Sequence, residues 1–438
     1  VTTFSDPLTA LESFTANYRD LFKDTRLYKG FQATITGILA SGTTRIRQIA
    51  RAAPQTGIMP HSERRIRRLI HNQNQRADVS VEQLTSKITS QGAKRLAQAT
   101  EVKVILDGSD LRKPHSSSLE FLSTVRALNG DPIPGYPTLN AIGIGTNGQQ
   151  ALLYHTTFSP LEPGFISERE EVRLAIQTIT TALRAVGVGR ITWILDRGFD
   201  DSKVIKWILE THACFVIRAQ HNRNVSLTPG SKARQLFETV RSQAVQGSLE
   251  MHRPVVNDGK VRKRKTIGVT RSASAWLVEP ELEVNVVNLE FQGVKNKNPD
   301  ERGWMLLSNL PVGTAEETQR VVALYVLRWA IEEVFAWTKT ALEWEATRVL
   351  EFNAFKRLVA FAWVAAGFVF DLGVNLEDSV VQHLAFLGGW VPRRDERPGR
   401  RVLALGLARV LNALVVEHHL KRIRAGNNVL DDNLKQNE

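Results

Sequence analysis

The sequence predicts an α/β protein on three observations. Short apolar strands run from residue 100 onward, antiparallel first and then interleaved with helices. Apolar residues recur at spacings of three and four before residue 99 and after residue 315. The chain is 42% hydrophobic over 438 residues, enough for a sizeable core shared by two to four units. That composition excludes disorder as the main state. Against 45 Asp+Glu stand 57 Lys+Arg, a net charge of +12 that points to a polyanionic partner, with nucleic acid the leading class. The single cysteine, Cys214, excludes an internal disulfide and a multi-cysteine zinc site, and it fits a reducing compartment. The longest apolar run, 358–370, reads as a buried helix, since a bilayer needs roughly 20 residues. No signal peptide or membrane anchor is expected.

The basic end is the N-terminal one, where residues 1–99 carry 15 Lys/Arg and 7 Asp/Glu. Thr43 or Thr44 can cap a helix carrying Ile46, Ile49 and Ala50. Pro54 and Pro60 bracket a loop, and Ser62 can cap the next helix. There Ile66, Leu69 and Ile70 share one face, which throws Arg64, Arg65, Arg67 and Arg68 onto the flanks and the far side. Such a face is either solvated or set against phosphates, and the overall basicity favours DNA.

From residue 100, Val102, Val104 and Leu106 mark a short strand ending at Asp107. Residues 138–145 and 150–158 flank Asn147-Gly148 and read as an antiparallel hairpin. Ser167 and Glu170 form a capping box for a helix closed by Gly187 and Gly189. A strand over 191–195 ends at Asp196, Ser202 caps a short helix, and a strand over 214–217 ends at Arg218. Residues 220–305, with an Asp258-Gly259 turn and the basic run 260–265, read as an inserted β-rich unit. A long helical pattern covers 315 to about 350. The tail from 373, with an arginine-rich stretch near 393–401, is helical.

Gly143, Gly145 and Gly148 match the G-x-G-x-x-G spacing, but a strand rather than a helix follows, so no dinucleotide site is expected. No P-loop run occurs either, and the histidines lack metal-ligand spacing. What remains is acidic. Asp107 and Asp196 both leave apolar strands where two carboxylates can share a cation, and Mg²⁺ prefers oxygen ligands. Each taken alone is an ordinary turn or cap residue. At 100° per residue from Tyr325, Arg328 falls at about −60°, Glu332 at about −20° and Lys339 at about −40°. Glu333 falls at about +80°, so of the two glutamates Glu332 shares the stripe. Glu332 can then ligate a metal while Arg328 and Lys339 meet phosphates, the alternative being a surface ladder of ion pairs.

Tyr325, Arg328, Glu332 and Lys339 fill the pattern Tyr-x2-Arg-x3-Glu-x6-Lys. The segment YVLRWAIEEVFAWTK resembles the signature helix of bacterial insertion-sequence transposases of the DDE type, cut-and-paste branch. LDGSD and ILDRGFDD resemble that family's first and second aspartate strands, and the resemblance spans roughly residues 40–370. It implies an RNase H-like catalytic core interrupted by a β-rich insertion. The units would be an N-terminal helical DNA-binding domain over 1–99, the core over 100–219 and 306–372, the insertion over 220–305, and a C-terminal helical region over 373–438 that pairs protomers.

The same resemblance implies that Asp107, Asp196 and Glu332 hold two Mg²⁺ ions, replaceable by Mn²⁺, for in-line displacement at phosphorus. Tyr325, Arg328 and Lys339 would grip the non-transferred strand, and Arg218 would touch end DNA. Trp304, 28 residues before Glu332, is similar to an insertion tryptophan that stacks on a flipped base and favours hairpin chemistry; its other reading is a core residue closing the insertion. The implied partners are double-stranded DNA, as terminal inverted repeats and target, and a second copy of the chain in a synaptic homodimer. No nucleotide cofactor or membrane is implied. The expected location is the bacterial cytoplasm, on the nucleoid when DNA is bound. A nuclease that cuts without joining and a regulator without chemistry stand as the alternatives.

Overall fold

The computed structural model describes residues 4–53, 59–71, 79–127, 129–257, 260–278, 281–293, 302–391 and 397–424. Five helices come first: α1 (Pro7–Ala16), α2 (Thr25–Ser41), α3 (Ile46–Ala52), α4 (Met59–His71) and α5 (Val81–Arg95). Ser80 and Gln83 close a full capping box on α5. On α4, Ile66, Leu69 and Ile70 are buried and Arg64, Arg65, Arg67 and Arg68 are exposed, the division expected from their spacing. The expected caps differ. Thr44 is fully buried and donates its hydroxyl to the Glu343 carbonyl at 3.1 Å instead of capping α3, while Thr43 accepts the Arg45 N–H. Helix α4 begins at Met59, so Ser62 lies inside it.

Next come β1 (Glu101–Arg112), β2 (Ser123–Arg126), β3 (Pro132–Gly145) and β4 (Gln150–Thr157), paired antiparallel in the order β2-β3-β1, with β4 following β2 along the edge of β3 away from β1. Gly148 turns the β3–β4 hairpin at φ 76°, so the glycine run is a turn. Sequence reading missed β2 and the first half of β3, where Pro132, Pro134 and Pro137 argue against a strand. It also ended β1 too early, since Asp107 lies within a twelve-residue strand.

The chain then alternates through α6 (Glu168–Ala185), β5 (Arg190–Leu195), α7 (Ser202–Glu210) and β6 (Cys214–Arg218), with β1, β5 and β6 parallel. Ser167 caps α6, but the Glu170 carboxylate turns to Arg173, so the expected box is half made. The cap of α7 is Asp201, which accepts from Lys203 N–H, and Ser202 is the first helical residue.

The segment after β6 holds β7 (Asn224–Ser226), β8 (Arg234–Gln235), α8 (Leu236–Arg241), β9 (Gly247–Asn257), β10 (Lys260–Leu277), β11 (Leu282–Phe291) and β12 (Gly303–Ser308). It is β-rich as expected, yet it builds no sheet of its own. β12 pairs antiparallel with β6, Leu307 opposite Ile217, so among the described residues twelve strands join in one mixed sheet. The expected Asp258-Gly259 turn lies outside the described residues, as do the side chains of 260–264 in the basic run. Lys265 pairs with Glu250.

Six helices follow: α9 (Ala315–Val326), α10 (Trp329–Ala341), α11 (Phe352–Phe370), α12 (Leu372–Asn375), α13 (Asp378–Leu387) and α14 (Arg400–Arg424). The one long helix expected over 315–350 is broken. The N–H groups of Leu327, Arg328, Ala330 and Ile331 bond the carbonyls three residues back, a tightened turn that separates α9 from α10. Helix α11 is long and apolar enough to cross a membrane, yet 83% of its apolar window is buried inside the protein, as the central core helix.

Two cores flank the sheet. On one side Val104, Leu106, Trp193, Leu195 and Phe215 pack under α6 and α7. On the other, Ile105, Ile142, Ile194 and Val216 join one cluster with α1–α5 and α9–α14, centred on Phe355, Phe361 and Trp363. Helix α5 approaches β4 so closely at Gly92 that an added Cβ would stand 2.1 Å from the Leu152 carbonyl oxygen. Gly92→Ala is therefore expected to destabilise the fold by about 1–3 kcal/mol through overpacking. A denaturant midpoint equal to wild type would contradict this close docking.

Candidate active site

Strand parity fixes which face each carboxylate takes. Along β1, Val104 and Leu106 face the α6 side, so Ile105 and Asp107 face the helical side, and along β5 Ile194 makes the same choice two residues before Asp196. The parallel register puts Leu106 beside Leu195, so Asp107 and Asp196 follow at adjacent positions where β5 stops and β1 runs on. Beyond Asp196 the chain turns through Arg197–Phe199 to Asp200, a buried carboxylate that accepts the N–H groups of Gln220 and His221 at 2.8 and 3.1 Å and pairs with Arg223. This anchors the exit of β5 to the exit of β6.

The broken helix supplies the third side. The Tyr325 hydroxyl donates to Asp196 Oδ1 at 2.8 Å. Arg328 Nη1 donates to Asp107 Oδ2 at 3.1 Å, and its Nη2 pairs with Glu332 Oε1. Glu333 points elsewhere, toward the charge of Arg400 on α14. Lys339 Nζ donates to the Asp110 carbonyl at 3.0 Å and lies 3.4 Å from Glu345, which also holds Arg112 at 2.9 Å. Tyr325, Arg328 and Glu332 thus converge at the two aspartates although the helix that carries them is in two pieces, while Lys339 stands further along β1 at Asp110.

Electrostatics at the site are strongly coupled. Burial pushes the Asp107 carboxyl up to about 7, against the pull of Arg328 and with help from Asp196 and Glu332. Burial also opposes the charge of Asp196. There Arg328, the Arg197 N–H, the Tyr325 hydroxyl and Arg218 outweigh it and hold the carboxyl below its usual value. Burial opposes the charge of Arg328 too, yet Asp196, Tyr325, Glu332 and Asp107 raise its pKa. Lys339 is lowered by burial, Glu345 opposing and Arg112 adding to the effect.

Could these residues hold a divalent cation? All three carboxylates present hard oxygen donors, and a cation already stands among them, the guanidinium of Arg328. Among the described residues, no three His, Cys, Asp or Glu side chains yet stand close enough to share an ion. The oxygen donors of the three carboxylates are of the hard kind that a divalent cation takes. Beside Asp107 opens a cavity of about 710 Å³ lined by Ser109, Asp110, Phe158, Arg169 and Phe199.

Other expected site residues lie further out. Trp304, on β12, is 8% exposed and packs edge-on against Phe291, Tyr325 and Trp329 at 5.4, 5.0 and 5.8 Å. Here its ring is packed among these neighbours, the placement of a core residue. It lines a cleft with Arg218, Arg241 and Arg302. Arg218 also contributes to the field on Asp196. Arg64, Arg65 and Arg68 stay on α4, which packs on α2, α3 and α11, and the structure does not bring them to the carboxylates. Sequence reading missed Glu345, Arg112 and Asp200, because no periodicity links positions 112 and 345 or 200 and 220.

Residues 99–366 match the model of the transposase DDE domain family. The match covers more than half of the chain, so the chain belongs to that family and is a transposase of the DDE class. Transposases act on DNA, and DDE enzymes generally depend on divalent metal ions.

The raised Asp107 carboxyl has a stability consequence. Its ordinary value is 3.8 and folding lifts it to about 7, so the stability gained by keeping it neutral is complete below pH ~4 and is lost as pH rises through 7. Asp107→Asn should therefore equal wild type in denaturant stability near pH 4 and exceed it at pH 8. Identical pH dependence of the two proteins would rule out this burial penalty.

Proposed function

We propose that this protein is a cut-and-paste DNA transposase of the Tyr-x2-Arg-x3-Glu-x6-Lys branch, with an RNase H-like core. It binds terminal inverted repeats through its N-terminal helices, cleaves the element ends and joins them to target DNA. The observation that carries the reading is the convergence of Tyr325, Arg328 and Glu332 on Asp107 and Asp196, with Tyr325 bonded to an aspartate 129 residues away and Arg328 to one 221 residues away. Ordinary surface ion-pair ladders link neighbours on one helix, not a helix and two strands.

Asp107, Asp196 and Glu332 would hold two divalent ions, Mg²⁺ or Mn²⁺, which supply activation of the attacking hydroxyl and stabilisation of the leaving oxygen. The residues of the chain do the positioning. Tyr325 and Arg328 line one side of the carboxylates and Lys339 stands beyond them at Asp110, an order in which a hydroxyl, a planar guanidinium and an ammonium suit successive phosphates. Arg218 extends that basic edge toward the cleft at Trp304. Arg64, Arg65 and Arg68 form a separate exposed face on α4 that suits backbone contacts further along the same DNA. The active assembly would be a homodimer holding two ends, working on the nucleoid of a bacterial cell.

Excision and joining of a marker flanked by the DNA that borders the gene tests this reading. Asp107→Asn, Asp196→Asn and Glu332→Gln should each lower product by at least 10³-fold while end binding persists in a gel-shift assay. Full activity in Glu332→Gln would overturn the assignment. Cutting without joining would make the protein a nuclease, and end binding without either product would make it a regulator.

Trp304 tests the hairpin route. Trp304→Ala removes the ring against Tyr325 and should slow hairpin formation or resolution at least tenfold more than first-strand nicking. Equal rates for every step would remove Trp304 from the site.

A further inference from the structure

Arg328 is placed oddly for a residue whose task is to meet DNA. Its side chain is 11% exposed, and its guanidinium is spent on the protein's own acids, Asp107 at 3.1 Å and Glu332 one helical turn away. Its Nε–H is buried without a hydrogen-bond partner, so the pairing is not the fully satisfied kind that a purely structural ion pair adopts. One monovalent cation thus stands between Asp107 and a half-exposed Glu332, within electrostatic reach of Asp196.

A divalent ion held by the same oxygens would meet a like charge at close range, so ion and guanidinium exclude one another. A DNA phosphate offers the guanidinium an alternative two-pronged partner. We propose that Arg328 is the resident cation of this site: it competes with divalent ions in the DNA-free protein and yields the carboxylates when a phosphate takes it. Metal binding and DNA binding then strengthen one another, each by the same factor. This rests on the metal-binding role proposed above for the carboxylates.

The test is Mn²⁺ titration of the full-length protein followed by the Mn²⁺ electron paramagnetic resonance signal, without DNA and with a short duplex. Arg328→Gln should bind Mn²⁺ at least tenfold more tightly than wild type in the absence of DNA, and a duplex should tighten binding less in the variant than in wild type. Affinity in Arg328→Gln equal to or weaker than wild type, with Asp196→Asn abolishing binding, would overturn the competition and leave the metal site intact. Wild-type binding in Asp196→Asn would overturn the metal site and the competition together. Should Arg328→Gln fail to fold, Arg328→Lys carries the test. Lysine keeps the charge but cannot span two carboxylates, so Mn²⁺ affinity should rise several-fold, and an unchanged value would overturn the proposal.

Discussion

The site depends on one constraint, the parallel register of β1 and β5 that sets two aspartates side by side at the point where β5 ends. Burial first, and the nearby acids after it, oppose the charge of Asp107, and its raised carboxyl is the sign of that cost. Arg328 offsets it from the opposite side, which ties the acids of the sheet to a helix far along the chain. The fold therefore keeps a locally unfavourable arrangement that a larger core overdetermines.

That core explains why the helix can be held so firmly. Helix α9 lies on β9, β10, β11 and β12, with Thr270 and Thr318 in hydrogen-bond contact at 3.3 Å and Gln319 donating to the Ser248 carbonyl. The segment after β6 is thus a platform that continues the sheet and supports the Tyr325 end of the site. At the other end, Lys113 donates to the carbonyls of Glu345 and Thr347, and Thr44 joins Thr347 at 2.9 Å. The N-terminal helices, the first strand and the turn after α10 are locked together there. Glu343 adopts φ 40° at that junction, a left-handed conformation that its surroundings maintain.

Much of this was legible in the sequence because it is local. Strand parity, the hairpin glycine at Gly148 and the apolar face of Ile66, Leu69 and Ile70 follow from short-range periodicity. The stripe of Tyr325, Arg328 and Glu332 was legible too, and these residues still meet at the aspartates across the three-residue hydrogen bonds that break the helix at Leu327. Long-range competition was not legible. Thr44 abandons a local cap for a carbonyl 299 residues away, Glu170 prefers Arg173 to its own backbone, and the inserted strands join the main sheet through β12. Nor could sequence show that Arg328 faces its own acids, since charge patterns do not reveal which partner is near.

The most direct measurement of the metal-holding role is anomalous scattering from crystals of the protein bound to end DNA and soaked in Mn²⁺. The expected result is manganese density enclosed by Asp107, Asp196 and Glu332, with Arg328 turned away onto a phosphate. Density at any other place, or Arg328 still bridging Asp107 and Glu332 beside a bound ion, would contradict it.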